Sequence, residues 1–117
     1  MLTRAAALLG FLTVALGAFG AHALDGRLSE QGLEWWHTAT LYALPHAAAA
    51  FAVGLSGREG LLKTGGWLLV AGAAIFAGTL YAMALGAPRW LGAITPIGGV
   101  SILAGWAVCA FAGSGKR

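Results

Sequence analysis

Three polar side chains recur at four-residue spacing inside a long apolar stretch of this sequence, namely Thr38, Tyr42 and His46. This spacing places all three on one face of a helix. An imidazole and a phenol can bind a polar ligand or relay protons, and polar groups are costly enough in an apolar segment to suggest a function. The same groups can instead form hydrogen bonds between helices, so the sequence leaves both interpretations open.

The other apolar stretches carry further polar side chains at matching positions along their length. If neighbouring helices are antiparallel, these side chains converge on one half of a shared interior. We therefore predict one polar cluster inside the membrane, formed by His22, Thr38, Tyr42, His46, Thr79, Tyr81 and Thr95.

Known catalytic motifs are missing from the sequence. It has no G-x-S-x-G, no P-loop, no H-E-x-x-H and no pair of carboxylates within an apolar stretch, so we predict no catalytic residues and no enzyme activity. The single cysteine, Cys109, and the three histidines show no zinc-ligand spacing. We therefore expect no metal site and no cofactor.

Four apolar stretches hold the polar residues, at about 5–24, 35–55, 66–86 and 91–112. Each has roughly 20 residues, enough for a helix to cross a hydrocarbon core of about 30 Å. All charged residues lie outside these stretches, and they make up only 9% of the chain, against roughly 25% in a soluble domain. The mean hydropathy is +0.80. We predict a single all-α integral membrane domain over residues 1–117, surrounded by the lipid bilayer.

The placement of basic residues predicts the orientation. Two of them, Arg27 and Arg89, fall on one side of the predicted spans. Five fall on the other side: Arg4, Arg58, Lys63, Lys116 and Arg117. Because the richer side faces the cytoplasm, we predict an antiparallel four-helix transmembrane bundle with cytoplasmic N and C termini, in the inner (plasma) membrane of a bacterium. The basic residues are scattered singly, so nucleic acid is not an expected partner.

Two prolines fall within the predicted spans. Pro45 removes a backbone donor near the middle of the second span and frees the carbonyl of Leu41, so we expect a kink there. Pro96 lies about one turn into the fourth stretch, where it either kinks the helix or marks its true first turn.

Small residues at four-residue spacing predict where helices approach closely. The expected rows are Thr13, Gly17 and Ala21; Ala74, Gly78, Ala82 and Gly86; and Ser101, Gly105, Cys109 and Gly113. Such rows can also dock a partner helix, so we expect either a homo-oligomer or a partner membrane protein.

Several motifs recur in order through the four spans. They are Gly17-Ala-Phe-Gly-Ala-His22-Ala-Leu24, Trp36-His-Thr38-Ala39 with Tyr42 and His46-Ala47, Gly78-Thr-Leu-Tyr81, Ile94-Thr-Pro-Ile-Gly-Gly99 and Gly105-Trp106. With them the chain resembles the domain of unknown function 423 family, also called uncharacterised protein family 0382. This family includes bacterial inner-membrane proteins and the eukaryotic transmembrane protein 256. The resemblance implies a multi-span inner-membrane protein and no particular activity. The family's recurring residues include His22, Trp36, Thr38, Tyr42, His46 and the Thr95-Pro96 pair.

The expected function is that of a non-enzymatic accessory or structural membrane protein. One alternative is a small transporter or channel that uses His46, Tyr42 and His22 as a polar or proton-relay site. A second alternative is a redox subunit that binds haem or quinone. The predicted depths of His22, near one surface, and His46, near the midplane, speak against a shared haem.

Overall fold

The computed structural model describes residues 1–113, which form four long α-helices and one short 3₁₀ helix and contain no strand. The α-helices are α1 Leu2–His22, α2 Glu30–Ser56, α3 Leu61–Ala84 and α4 Thr95–Gly113, and the 3₁₀ helix is η1 Arg89–Ala93. Four helical segments are long and apolar enough to cross a membrane. The predicted all-α architecture with four candidate spans is therefore confirmed.

Local signals fix the ends of α2. Its first turn is capped by Ser29, whose Oγ accepts a hydrogen bond from the Gly32 backbone N–H at 2.9 Å, and this contact satisfies one of the free donors of a helix start. The helix thus begins at Glu30, before the apolar stretch itself. It ends at Ser56, and the next residue, Gly57, has a φ of 71° in the left-handed region that favours glycine.

The two prolines occupy different helical positions. Pro96 is the second residue of α4, where proline is accommodated because the N–H groups of a first turn have no partner inside the helix. It therefore starts α4 instead of kinking it, and η1 fills the first part of the predicted fourth stretch. Pro45 lies inside α2, which is α-helical on both sides of it, and the kink there stays a prediction.

Side-chain pairs show that neighbouring helices are antiparallel. Along α1 and α2, Gly20 stands against Trp36 and Gly17 against Thr40, while Gly10 faces Ala47. The links α1–α2 and α3–α4 therefore lie at the same end of the molecule, which we call the connection end. The opposite end, called here the terminal end, holds the start of α1, the end of α4 and the link α2–α3. Lys116 and Arg117, on which the orientation prediction partly depends, lie outside the described residues.

The bundle is open on one side. α1 packs mainly on α2, α2 on α3 and α3 on α4, but over residues 1–113 α1 and α4 form no packed interface with each other. α1 lies along the Trp36 and Thr40 face of α2, whereas α4 reaches the face that carries His46. Since these faces point in different directions around the helix, α1 and α4 lie on opposite sides of the α2–α3 pair.

Two apolar clusters fill the helix contacts. The cluster at the connection end comprises Leu24, Trp36, Ala39, Ala43, Ala77, Leu80, Tyr81 and Met83. The cluster at the terminal end comprises Leu2, Ala6, Ala50, Leu69, Ala73 and Ile102. Many of these residues are alanines, which allow the helix axes to approach closely.

Glycines bring the backbones of α3 and α4 into contact. A Cβ placed on Gly72 would lie 2.7 Å from the carbonyl oxygen of Gly98 and 2.8 Å from the backbone nitrogen of Ile102. About two turns earlier in α3, a Cβ on Gly65 would lie 3.1 Å from the carbonyl oxygen of Gly105. Only glycine permits this approach without moving a helix.

The structure corrects one of the three small-residue rows. Thr13 is buried and Gly17 contacts α2, and Gly105 contacts α3, so the rows on α1 and α4 are used for packing. The row on α3 is wrong, because Ala74 is exposed and a Cβ on Gly78 would meet nothing within 4 Å. Alanine and glycine occur on every face of α3, so their spacing does not identify the packing face.

Polar contacts close the terminal end. The Arg58 guanidinium donates a hydrogen bond to the carbonyl oxygen of Ala112 at 3.0 Å, which places a positive charge at the negative C-terminal end of α4. Within the described range the only ion pair joins Lys63 to Glu59 at 3.2 Å. Glu59 lies just before the start of α3, and both side chains are exposed, so the pair contributes little stability.

Candidate functional site

The polar side chains predicted to form one cluster lie in several separate places. Tyr81 belongs to a buried contact between α1, α2 and α3. Thr79 and Thr95 join α3 to α4, and Tyr42 and His46 face a groove between α2 and α4. The expected single cluster is therefore divided, because α1 and α4 pack on different faces of the α2–α3 pair and form no packed interface with each other over residues 1–113.

Trp36 and Tyr81 form the buried contact. Trp36 is 1% exposed, and its Nε1–H donates to the carbonyl oxygen of Leu16 at 2.8 Å. Its ring meets Tyr81 edge-on with 4.5 Å between centroids. The Tyr81 hydroxyl lies 2.6 Å from the Thr40 Oγ1, and Gly20 leaves room for the indole. Every polar group here has a partner, so the contact locks three helices together.

Sequence reasoning missed Thr40 as a polar partner. It lies four residues after Trp36 on the face that continues through Ala43 and Ala47, and those two alanines are buried. This repeat of small and aromatic residues was the available signal, because it marks the face of α2 that packs inward. The predicted Thr38 is half-buried and lies outside that face.

Thr79 and Thr95 form a second polar contact. Their Oγ1 atoms lie 2.6 Å apart, and Thr79 is also within 3.0 Å of the carbonyl oxygen of Ile75. Thr95 donates to the carbonyl oxygen of Leu91 at 3.2 Å. The pair thus ties the first turn of α4 to α3, and its hydroxyls are used in that contact.

His46 and Trp106 form a hydrogen bond between α2 and α4. The Trp106 Nε1–H donates to Nδ1 of His46 at 3.1 Å, and the rings meet edge-on with 5.9 Å between centroids. An indole N–H can only donate, so Nδ1 accepts, and the neutral imidazole carries its proton on Nε2. Within residues 1–113 the imidazole makes no second hydrogen bond, which leaves the Nε2–H free to donate.

A groove of about 500 Å³ lies in front of this pair, between α2 and α4, with Phe76 of α3 on its lining. We call it the α2–α4 groove. It is lined by Tyr42, His46, Phe76, Pro96, Gly99, Val100, Ile102, Leu103 and Trp106. Tyr42 is 46% exposed and packs on the Phe76 ring, with 5.1 Å between centroids. Because Val100, Leu103 and Trp106 are also exposed, the groove opens sideways toward the space that lipid occupies.

His22 does not reach this groove. It is the exposed last residue of α1. Since Gly10 faces Ala47 across the α1–α2 contact, His46 is level with the residue after Gly10, about 16 Å from His22 along the helix axis. The two histidines therefore cannot share one iron or one small ligand.

Acidic and sulfur ligands do not gather anywhere in the described part of the chain. No group of three or more His, Cys, Asp or Glu side chains over residues 1–113 could hold a metal ion. Cys109 is half-buried at the α3–α4 contact, close to Gly65. At this position Cys109 serves as a small packing residue.

Comparison with known proteins places the chain among membrane proteins. The family model described as "Protein of unknown function (DUF423)" matches residues 16–99. A UPF0382 membrane protein of Bacillus subtilis is 44% identical over 100 residues, which cover 81% of this chain and 80% of the relative. Another, of Schizosaccharomyces pombe, is 42% identical over 108 residues, covering 87% and 92%. No solved structure matches the chain.

Proposed function

Because this chain belongs to the DUF423 family of membrane proteins, whose description assigns no activity, we propose its function from the geometry. It is a non-enzymatic accessory protein of the bacterial inner membrane, and it binds a lipid-soluble molecule in the α2–α4 groove. The ligand is uncharged and largely apolar, and it carries a carbonyl-type oxygen that accepts a hydrogen bond from His46.

One observation carries this proposal, the hydrogen bond from Trp106 to Nδ1 of His46 at 3.1 Å. It places the imidazole proton on Nε2, at the side of an apolar groove. An N–H without a partner is costly in a hydrocarbon environment. Lipid tails offer no acceptor, and within residues 1–113 no backbone carbonyl accepts a hydrogen bond from this nitrogen. A small molecule with its own carbonyl oxygen satisfies the donor.

Tyr42 supplies a second polar group on the same lining. Its hydroxyl has no hydrogen-bond partner among residues 1–113, although its ring is fixed against Phe76. The imidazole and the phenol together give the groove two polar points in an otherwise apolar surface. This is the usual form of a small-molecule site, in which a few polar groups orient a mostly apolar ligand.

The groove supports binding better than chemistry or transport. No carboxylate lines it, so the imidazole has no acidic partner for acid–base catalysis. A proton relay through His22 would have to cross about 16 Å along α1, and a haem held by His22 and His46 meets the same distance. A protein whose site binds a ligand without catalysis or transport has an accessory role.

Lipid-soluble compounds bound to the purified protein provide the test. The full chain would be extracted in a mild detergent, and co-purified small molecules would be quantified by mass spectrometry after organic extraction. We expect about one carbonyl-containing compound per chain. Replacing His46→Leu should lower its occupancy about fivefold to tenfold, the loss expected for one hydrogen bond.

His37→Leu is the matched control, because His37 is an exposed histidine of the same helix and does not line the groove. It should leave occupancy unchanged. If the native chain carries no such compound when extracted from its own membranes, or if His46→Leu binds as much as the native chain, the proposed function is wrong.

A further inference from the structure

A second pocket, of about 370 Å³, lies beside the α2–α4 groove at the connection end. η1 and the start of α4 form one side of it, and α3 forms another. Arg89 lies at this pocket with its guanidinium carbon 5.4 Å from the centre of the Trp35 ring. We call this the Arg89 pocket.

The charge of Arg89 is not neutralised by a neighbouring carboxylate. Its side chain is exposed, and no ion pair joins it to an acidic residue of the described chain. A guanidinium stays charged at all physiological pH values, and its planar donors match the oxygens of a phosphate. Stacking on Trp35 holds the group in place without using those donors.

The rest of the Arg89 pocket is apolar. Leu80 and Met83 are buried beneath it, and Gly92 leaves space, since the nearest atom to a Cβ there would be the Met83 Sδ at 3.8 Å. The Thr95 hydroxyl is already bonded to Thr79. A ligand therefore meets one cation at the rim and only apolar surface below it.

The depth of the Arg89 pocket in the bilayer agrees with a ligand that is charged at the rim and apolar below it. Trp35 is an amphipathic ring of the kind that lies among lipid headgroups, and Arg89 lies beside it at the end of the membrane-crossing segments. The pocket shares Phe76 and Pro96 with the α2–α4 groove, so apolar surface continues from the rim toward the middle of the bilayer.

From these observations we infer that the Arg89 pocket is a binding site for an anionic phospholipid. The phosphate lies on the Arg89 guanidinium, and the upper part of one acyl chain covers Leu80 and Met83. A free phosphate ion shares the first contact but gains nothing from the apolar surface below, which is why a lipid is the better occupant. This site is separate from the hydrogen-bonding point at His46.

Native mass spectrometry of the full chain tests this inference. Delipidated protein in detergent would be offered equal amounts of phosphatidylglycerol and phosphatidylcholine with identical acyl chains. We expect one phosphatidylglycerol to be retained in about fivefold preference, the ratio that one basic group at an anionic surface provides. Arg89→Gln should remove the preference. Gly92→Leu, which fills the pocket but keeps the charge, should lower retention of both lipids.

Arg27→Gln is the matched control, because Arg27 is an exposed arginine of the same end that does not line the pocket. The inference is overturned if Arg27→Gln loses as much preference as Arg89→Gln, if the native chain shows no preference, or if excess inorganic phosphate displaces the lipid. His46→Leu should leave the lipid preference intact, so a failure of this site and a failure of the groove ligand are distinguishable.

Discussion

A single tryptophan decides what His46 can do. Because Trp106 donates to Nδ1, the imidazole presents its other nitrogen as a donor toward the groove. His46 and Tyr42 were predictable from the sequence, since a polar residue in an apolar span stands out. The hydrogen bond from Trp106 was not predictable, because the two residues are 60 positions apart and hydrophobic periodicity does not show which residues of two helices meet.

Trp106→Phe isolates the contribution of that donor. The variant keeps an aromatic ring in the groove wall but removes the N–H, so the imidazole loses its fixed orientation and tautomer. We expect groove ligand occupancy to fall severalfold, by less than the loss in His46→Leu, as measured by extraction and mass spectrometry. Trp90→Phe, at an exposed position on η1, should have no effect, and equal losses in both variants would contradict this role.

The two tyrosines should separate stability from binding. Tyr81→Phe removes the 2.6 Å hydrogen bond to Thr40, and we expect a loss of about 0.6 kcal/mol in the free energy of unfolding, with an upper value near 1.7 kcal/mol. Unfolding in mixed detergent–SDS micelles measures it. Tyr42→Phe removes an exposed hydroxyl that lines the groove, so it should weaken ligand binding and leave the unfolding free energy unchanged. The reverse pattern would show that their roles are exchanged.

At the scale of helices, the sequence predicted that small residues bring neighbouring helices together, and on α1 and α4 it identified the correct faces. On α3 it failed. Hydropathy and spacing show that a helix is rich in glycine and alanine, but they do not show which of several small-residue faces meets a neighbour. That choice depends on the partner surface, here the carbonyl of Gly98 beneath Gly72.

Alanine substitutions on two faces of α3 test this assignment. Gly72→Ala places a methyl group 2.7 Å from the carbonyl oxygen of Gly98, which forces α3 and α4 apart, and we expect a loss of about 1–3 kcal/mol in the unfolding free energy. Gly78→Ala meets open space and should change it by less than about 1 kcal/mol. Equal losses in the two variants would mean that α3 packs through another face.

At the scale of the whole molecule, the open bundle explains why the α2–α4 groove exists at all. A closed four-helix bundle would bury the Tyr42 and His46 face of α2 beneath other helices. Here α1 and α4 lie on opposite sides of the α2–α3 pair, so that face is only partly covered. The number of helices followed from apolar length and charge placement, whereas the order in which they surround one another did not, because it depends on the packing faces.

The orientation of the whole molecule decides which leaflet and which compartment each site faces. The start of α1 and the end of α4 lie at the terminal end with Arg4, Arg58 and Lys63, whereas Arg27 and Arg89 lie at the connection end. Because basic residues favour the cytoplasmic side, reporters fused to the two termini should both report a cytoplasmic location.

A variant with Arg4 and Lys63 replaced by glutamine should show a mixed orientation, whereas a variant with Arg27 and Arg89 replaced by glutamine should not. Two reporters in different compartments would contradict the four-span topology, and two periplasmic reporters would move the Arg89 pocket to the cytoplasmic leaflet.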